Sequence, residues 1–216
     1  MSYCAKCQFE ECFEGGKQSA NPNCPMQDAE LLQKTQEEFM KDENRDFYGN
    51  TLKIRHDFGG LCRMDETIAF CKYNNFKKIG LAYCAGMAKE AKIVDEILTE
   101  QGFEVISAVC KLGSFEPEHI SDCGEYLKTP DKHGKIPDRI QIVCDPIGQA
   151  LVVNKENVEF NIVVGLCVGH DSLFMKYADA MSTVLVAKDQ PLKHNPTAAL
   201  YYHANHKKMK KAKWDK

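Results

Sequence analysis

The sequence predicts an α/β protein: a mostly parallel, Rossmann-like (doubly wound) sheet preceded by a small four-cysteine metal knuckle. Three observations predict it. From residue 78 onward, short apolar runs of strand length alternate with helix-length segments whose apolar residues recur every three or four positions. Four of the eleven cysteines crowd into the first 24 residues, where no core could need them. A second set of cysteines recurs just after the predicted strands.

In chain order, the knuckle comes first. Cys4, Cys7, Cys12 and Cys24 are spaced Cys-x2-Cys-x4-Cys-x11-Cys in a polar stretch rich in turn formers. A Cys-x2-Cys turn presents two sulfurs to one ion, and zinc and iron–sulfur centres both accept four thiolates. Ligation is what would fold so polar a segment. After Cys24-Pro25, residues 26–41 predict a helix, with Asp28 and Glu30 in its first turn. Residues 44–60 carry no clear period. Leu61, Met64, Ile68 and Cys71 then fall on one helical face.

The segment 79–83 predicts a buried strand, 87–100 a helix and 103–109 a second strand. Strand, helix and strand in about thirty residues form a βαβ unit with parallel strands. A second unit follows, with strands at 160–166 and 183–187 flanking a helix at 170–181. Between the units, 114–138 is polar and broken by Pro117, Pro130, Gly134 and Pro137. It predicts a long loop, functional or mobile, followed by a short strand at 141–143 and a helix at 146–154. The expected organisation is therefore a knuckle with its helix at 1–44, the α/β domain at 45–205, and a lysine-rich tail at 206–216.

The second cysteine set carries the functional expectation. Cys84, Cys110, Cys144 and Cys167 each close a predicted strand, and Cys84-Ala85-Gly86 is echoed by Cys167-Val168-Gly169. Open parallel sheets bind ligands just beyond the carboxyl ends of their strands, so these four thiols converge on the expected site. A helix start also stabilises a thiolate. Asp145, Gln149, His170, Asp171, Lys188 and Asp189 gather at the same edge, and the 194–196 segment, His-Asn-Pro, could close over it. His170 and Asp171 suit proton transfer or metal ligation beside the thiolates. Each also suits the first turn of a helix. Cys71 fits a small core residue, whereas Cys62 and Cys123 have no assigned role.

Composition removes several classes. A net charge of −3 gives no global basic field, and Glu10, Glu11 and Glu14 on the knuckle would repel phosphate. A nucleic-acid adaptor is the weakest expectation. No signal-peptide pattern and no apolar run of membrane length occurs, so a cytoplasmic protein without a membrane partner is expected. An odd number of cysteines without an export signal favours reduced thiols over a disulfide framework, in a setting poor in oxygen.

Five strings, KIGLAYCAGMAKEA (78–91), VCKLG (109–113), CDPIGQA (144–150), NIVVGLCVGHDSLFMKY (161–177) and KDQPLKHNPTAALY (188–201), join Cys4, Cys7, Cys12 and Cys24-Pro25 in a family likeness. The chain resembles the cysteine-rich proteins of domain-of-unknown-function family 1847, seen in anaerobic bacteria and archaea. The resemblance implies metal binding without implying a reaction. Gln190 and Lys193 depart from the family pattern, which carries a glycine before His-Asn-Pro.

Two functions follow as expectations. The first is a metalloenzyme or redox protein acting on a small molecule or with a redox partner. Zinc or an iron–sulfur cluster would sit on Cys84, Cys110, Cys144 and Cys167, with Cys84, Cys167, His170 and Asp171 as catalytic candidates. The second is metal binding, storage or delivery without turnover.

Overall fold

The computed structural model describes residues 4–7, 12, 13, 15, 21–116, 130, 134 and 142–206. Two compact units result, Met1–Leu61 and Cys62–Lys216. Cys123, His119, His133 and the lysine-rich tail beyond residue 206 lie outside the described residues.

In the first unit, a 3-10 turn at Cys4–Lys6 is closed by the Cys7 N–H donating to the Cys4 carbonyl at 3.1 Å. A second 3-10 turn, Pro25–Gln27, leads into α1, Ala29–Phe39. Asp28 caps α1 by accepting from the Leu31 N–H at 3.0 Å. This leaves one less unpaired donor at the helix start. Helix α2, Asp42–Phe58, packs on α1. It occupies the stretch that lacked a clear apolar period, and Ile54 is its only buried residue. Acids at Asp42 and Glu43 and bases at Arg55 and His56 suit the two ends of its dipole, and Gly59, at φ 66°, ends it.

The second unit opens with α3, Arg63–Tyr73, which starts two residues after Leu61, so that leucine lies outside the helical face expected for it. Four strands follow: β1 Lys78–Tyr83, β2 Glu104–Val109, β3 Phe160–Val164 and β4 Ser182–Val186. All pair parallel, in the order β2-β1-β3-β4. Helix α4, Ala88–Glu100, connects β1 to β2; α5, Pro146–Lys155, precedes β3; α6, Val168–Tyr177, connects β3 to β4; and α7 is Pro196–His206. This is the Rossmann-like parallel α/β architecture expected from the alternation of elements. Two details differ. Residues 142 and 143 form no strand, because their backbone joins the loop beside β2, where the Val143 N–H donates to the Phe115 carbonyl at 2.9 Å. The helix expected at 170–181 begins at Val168 and stops at Tyr177.

Strand side chains alternate between faces. On one face, Ile79 and Leu81 stand beside Phe160 and Ile162 in register. Helix α4 packs against β1 and β2, and α3 brings Phe70 to 5.4 Å from the Phe160 ring, with Phe76 stacked on that ring at 5.7 Å. On the other face, Ala82 and Val163 join Ala150 and Val153 of α5 and Phe174 of α6 in one buried cluster. Each large side chain fully buried there contributes about 1.5–3 kcal/mol. Cys71 is fully buried, and burial pushes its thiol up to about 12, which fits a core residue rather than a reactive one. Among the described residues, no helix is long and apolar enough to cross a membrane.

The strand order sets the site. From β1 the chain moves outward to β2, then returns to the far side of β1 for β3 and continues to β4. The loops leaving β1 and β3 therefore diverge, opening a crevice between their carboxyl ends.

Candidate functional site

Cys84 leaves β1 directly and precedes a 3-10 turn, Ala85–Met87, that runs into α4. Cys110 leaves β2 directly. Cys167 follows β3 after Gly165 and Leu166 and is the residue before α6. Cys144 corrects the expectation of four strand ends. No strand precedes it among the described residues, and it reaches the same edge through the loop before α5. The hydrogen bond from the Asp145 N–H to the Cys110 carbonyl, at 2.7 Å, holds that loop against the end of β2.

The thiols form a connected row rather than a cage. Cys110 Sγ lies 3.7 Å from Cys144 Sγ and accepts the Ala85 N–H at 3.3 Å. Cys84 lies within electrostatic reach of Cys110, its sulfur is 2.9 Å from Lys188 Nζ, and Lys188 in turn interacts with Cys167. Lys188 stands two residues beyond β4, so the last strand delivers an ammonium between thiols from the first and third. Among the described residues, no group of three or more His, Cys, Asp or Glu side chains is placed to hold a metal ion, either here or at Cys4, Cys7, Cys12 and Cys24. At the amino end, Cys7 Sγ accepts from Asn21 Nδ2 at 3.6 Å, beside the turn that carries Cys24.

Electrostatics divide the thiols into two kinds. Burial pushes the Cys84 thiol up, but the Lys188 ammonium, the Gly86 N–H and Cys110 outweigh it and hold Cys84 below the ordinary thiol range. Lys188 is raised chiefly by its hydrogen bond to Cys84. For Cys110, burial dominates and pushes its thiol to about 11, against the opposing pull of the Ala85 N–H. The two neighbouring thiols are thus shifted in opposite directions, Cys84 toward the thiolate and Cys110 toward the protonated form.

The other expected residues fall into place unequally. His170 lies in the first turn of α6, and its imidazole is lowered by burial and then by the charges of Lys188 and Lys111. It therefore belongs to the thiol neighbourhood. Asp171 takes the first-turn place, its carboxylate accepting the Ser172 N–H at 2.7 Å, and its charge opposes the lowering of His170. Asp145 caps α5 through the Gly148 N–H, at 2.7 Å. The 194–196 segment does not reach over the thiols as a free loop. The Asp189 N–H donates to His194 Nδ1 at 3.2 Å, the His194 N–H donates to the Asp189 carbonyl at 2.7 Å, and Pro196 begins α7. Lys193 there has φ 50°, a left-handed conformation that explains why glycine suits this position.

Gln149 supports the edge from below. It is fully buried, and its Nε2 donates to the carbonyls of Tyr83, at 3.1 Å, and Ala108, at 2.6 Å. Tyr83 ends β1 immediately before Cys84, and Ala108 lies near the end of β2, two residues before Cys110. Sequence placed Gln149 near the edge but offered no signal for its partners. Lys111 was not singled out at all, although its place directly after Cys110 was the available clue.

Fold and site define a class: parallel α/β proteins with a lysine-paired cysteine and further thiols at the switch point of the sheet. Within that class, the chain belongs to the family described as Protein of unknown function (DUF1847), whose model matches residues 24–185. The matched stretch contains all four thiols of the row and begins at Cys24, beyond Cys4, Cys7 and Cys12. The chain is 35% identical over 211 residues to the uncharacterized protein MJ0455 of Methanocaldococcus jannaschii, covering 97% of this chain and 99% of that one. No solved structure matches.

Proposed function

We propose that the protein is a thiolate-dependent enzyme or redox protein acting on a small electrophilic molecule, with Cys84 as the reacting group. The observation that carries this reading is the 2.9 Å contact between Lys188 Nζ and Cys84 Sγ at the switch point. An ammonium at that distance stabilises the thiolate, which is the nucleophilic form of cysteine. The new bond from Cys84 Sγ to the electrophilic carbon or sulfur uses the thiolate electron pair, and the departing group leaves with the pair of the bond it breaks. Cys84 is only 8% exposed, which favours a small molecule over a protein chain as the reacting partner. His170, its imidazole lowered by burial and by the charges of Lys188 and Lys111, is the proton carrier of the site in this reading. Cys110 and Cys144 supply a neighbouring dithiol, and Cys167 also interacts with Lys188.

A second reading places zinc or an iron–sulfur cluster on Cys84, Cys110, Cys144 and Cys167, and the Cys110–Cys144 separation favours it. Tetrahedral ligands with metal–sulfur bonds of about 2.3 Å hold their sulfurs about 3.8 Å apart, close to the observed 3.7 Å. A resident metal would supply Lewis-acid or electron-transfer chemistry there, and the ammonium of Lys188 would have to yield its place. Cys4, Cys7, Cys12 and Cys24 would hold a separate structural ion that clips the amino-terminal segment.

Anaerobic purification followed by two measurements tests both readings. Iodoacetamide at limiting dose and near-neutral pH should label Cys84 ahead of the other thiols, as read by peptide mapping. Zinc, iron and acid-labile sulfide should be counted in wild type and in the Cys110→Ala/Cys144→Ala variant. Labelling of Cys84 last, together with a metal lost in that variant, would replace the first reading with the second.

A further inference from the structure

Cys110 and Cys144 form a thiol pair that the contact between Cys84 and Lys188 leaves unused. They stand 34 positions apart in sequence, yet the Cys144 S–H donates to Cys110 Sγ across 3.7 Å. Two backbone bonds hold the pair. The Asp145 N–H donates to the Cys110 carbonyl at 2.7 Å and the Val143 N–H to the Phe115 carbonyl at 2.9 Å, so both neighbours of Cys144 are tied to the segment that begins at Cys110. A disulfide needs adjacent main chains and side chains that point at each other. The backbone bond between Asp145 and Cys110 meets the first condition, and the contact between the sulfurs meets the second.

The two thiols differ in access. Cys110 is 1% exposed, whereas Cys144 is only half-buried. A reagent from solution therefore meets Cys144 first, with Cys110 behind it. The Ala85 N–H, 3.3 Å from Cys110 Sγ, supports the charge that this sulfur carries when it attacks.

We propose that Cys110 and Cys144 form a reversible dithiol–disulfide couple that exchanges an electron pair with a small disulfide, Cys144 attacking and Cys110 resolving. The Cys144 thiolate, its proton given to water, attacks one sulfur of the small disulfide. Its electron pair makes the mixed disulfide, and the first small thiolate departs with the pair of the broken S–S bond and takes up a proton. Cys110 then loses its proton and attacks Cys144 Sγ, forming the bond between the two residues and releasing the second small thiol. One protein dithiol and one small disulfide thus give one protein disulfide and two small thiols, and two electrons leave the protein. Excess small thiol runs the same steps backward, so the ratio of small thiol to small disulfide sets the direction. The inference goes beyond the Cys84 reading and uses neither Cys84 nor Lys188. It competes with a resident metal on this pair, because thiolate ligation and a disulfide exclude each other.

The full-length chain, purified without oxygen, is mixed with oxidised glutathione, quenched with N-ethylmaleimide and digested with trypsin. Cleavage after Lys92, Lys111, Arg139 and Lys155 leaves Cys110 and Cys144 as the sole cysteines of two peptides, 93–111 and 140–155. These peptides should appear joined before any other pair, lighter than their sum by two hydrogens, and excess reduced glutathione should separate them. In Cys110→Ser the glutathione adduct should be trapped on Cys144, at a rate at least about tenfold above that of the Cys110 adduct in Cys144→Ser, because access governs the first attack.

Absence of the joined pair at saturating oxidised glutathione overturns the proposal, whether or not an adduct stays on Cys144. So does a first bond from Cys110 to Cys84 or Cys167, or an equal adduct rate in the two serine variants. A stoichiometric metal that stays bound and keeps the pair apart assigns these thiols to ligation and overturns it as well. The joined peptides are read in wild type, so a serine variant that fails to fold leaves that decision intact. Slow labelling of Cys84 by iodoacetamide counts against the Cys84 reading alone.

Discussion

Lys188 Nζ sits 2.9 Å from Cys84 Sγ across 104 residues of sequence, joining the loop after the last strand to the loop after the first. The pair depends on the strand order, because β3 alone separates β1 from β4. Neither residue would meet the other without it.

Replacing Lys188 by methionine should remove the cation while keeping the length of the side chain. The iodoacetamide rate of Cys84 at neutral pH should then fall by about an order of magnitude, and its pH profile should move upward. The sign for stability follows from the same pair. A thiol held below its ordinary range contributes stability above that range and loses it as pH falls through its folded-state value. The stability difference between wild type and Lys188→Met should therefore shrink on acidification, as read by urea unfolding at several pH values. A difference that grows toward acid would contradict the pairing.

Gly165 should not tolerate a side chain. Its φ is 63°, and a Cβ built there would lie 1.9 Å from Met87 Sδ. Gly165→Ala combines left-handed strain with overpacking and should cost about 2–4 kcal/mol in equilibrium unfolding. Adding Met87→Ala should not restore full stability, since it relieves the contact but not the backbone strain.

Lys193 calls for the opposite change. With φ 50° and an exposed side chain, it bears the cost of a left-handed residue without compensating burial. Lys193→Gly should stabilise the protein by about 0.5–1 kcal/mol, measurable as a raised thermal midpoint. A lowered midpoint would mean that the lysine side chain contributes something its exposure does not suggest.

Gln149→Leu keeps the volume and deletes the polar group. Two hydrogen bonds, to the Tyr83 and Ala108 carbonyls, are lost, while the buried Oε1 that lacks a protein partner is also removed. The losses outweigh the gain because the strand-end carbonyls stay buried, and a net cost of about 1–2 kcal/mol is expected in urea titrations. Iodoacetamide reactivity of Cys84 should change as well, because the ends of β1 and β2 lose their common tie.

The strands were legible because a parallel sheet covered on both faces leaves nearly continuous apolar runs, as in residues 79–83 and 160–164. Helix α2 was not, since one buried residue, Ile54, gives no stripe to detect. Cys84, Cys110 and Cys167 could be placed because strand ends are local features. Cys144 was misassigned to a strand because the apolar pair Ile142-Val143 before it resembles the end of one, although the backbone N–H groups on either side of it bond to the loop after β2. The partnership of Lys188 with Cys84, the bond of Lys111 to the Ile142 carbonyl and the two bonds of Gln149 depend on contacts between residues distant in sequence. No window of sequence contains them.

The bonds from the Asp145 N–H to the Cys110 carbonyl and from the Val143 N–H to the Phe115 carbonyl close the base of the excursion between Glu116 and Ile142. With that base tied, Cys110 and Cys144 are brought to 3.7 Å by bonds formed on either side of the sequence between them. The entropic cost of closing that stretch grows only with the logarithm of the residues enclosed, so lengthening it by a few residues should leave the spacing of the two sulfurs unchanged.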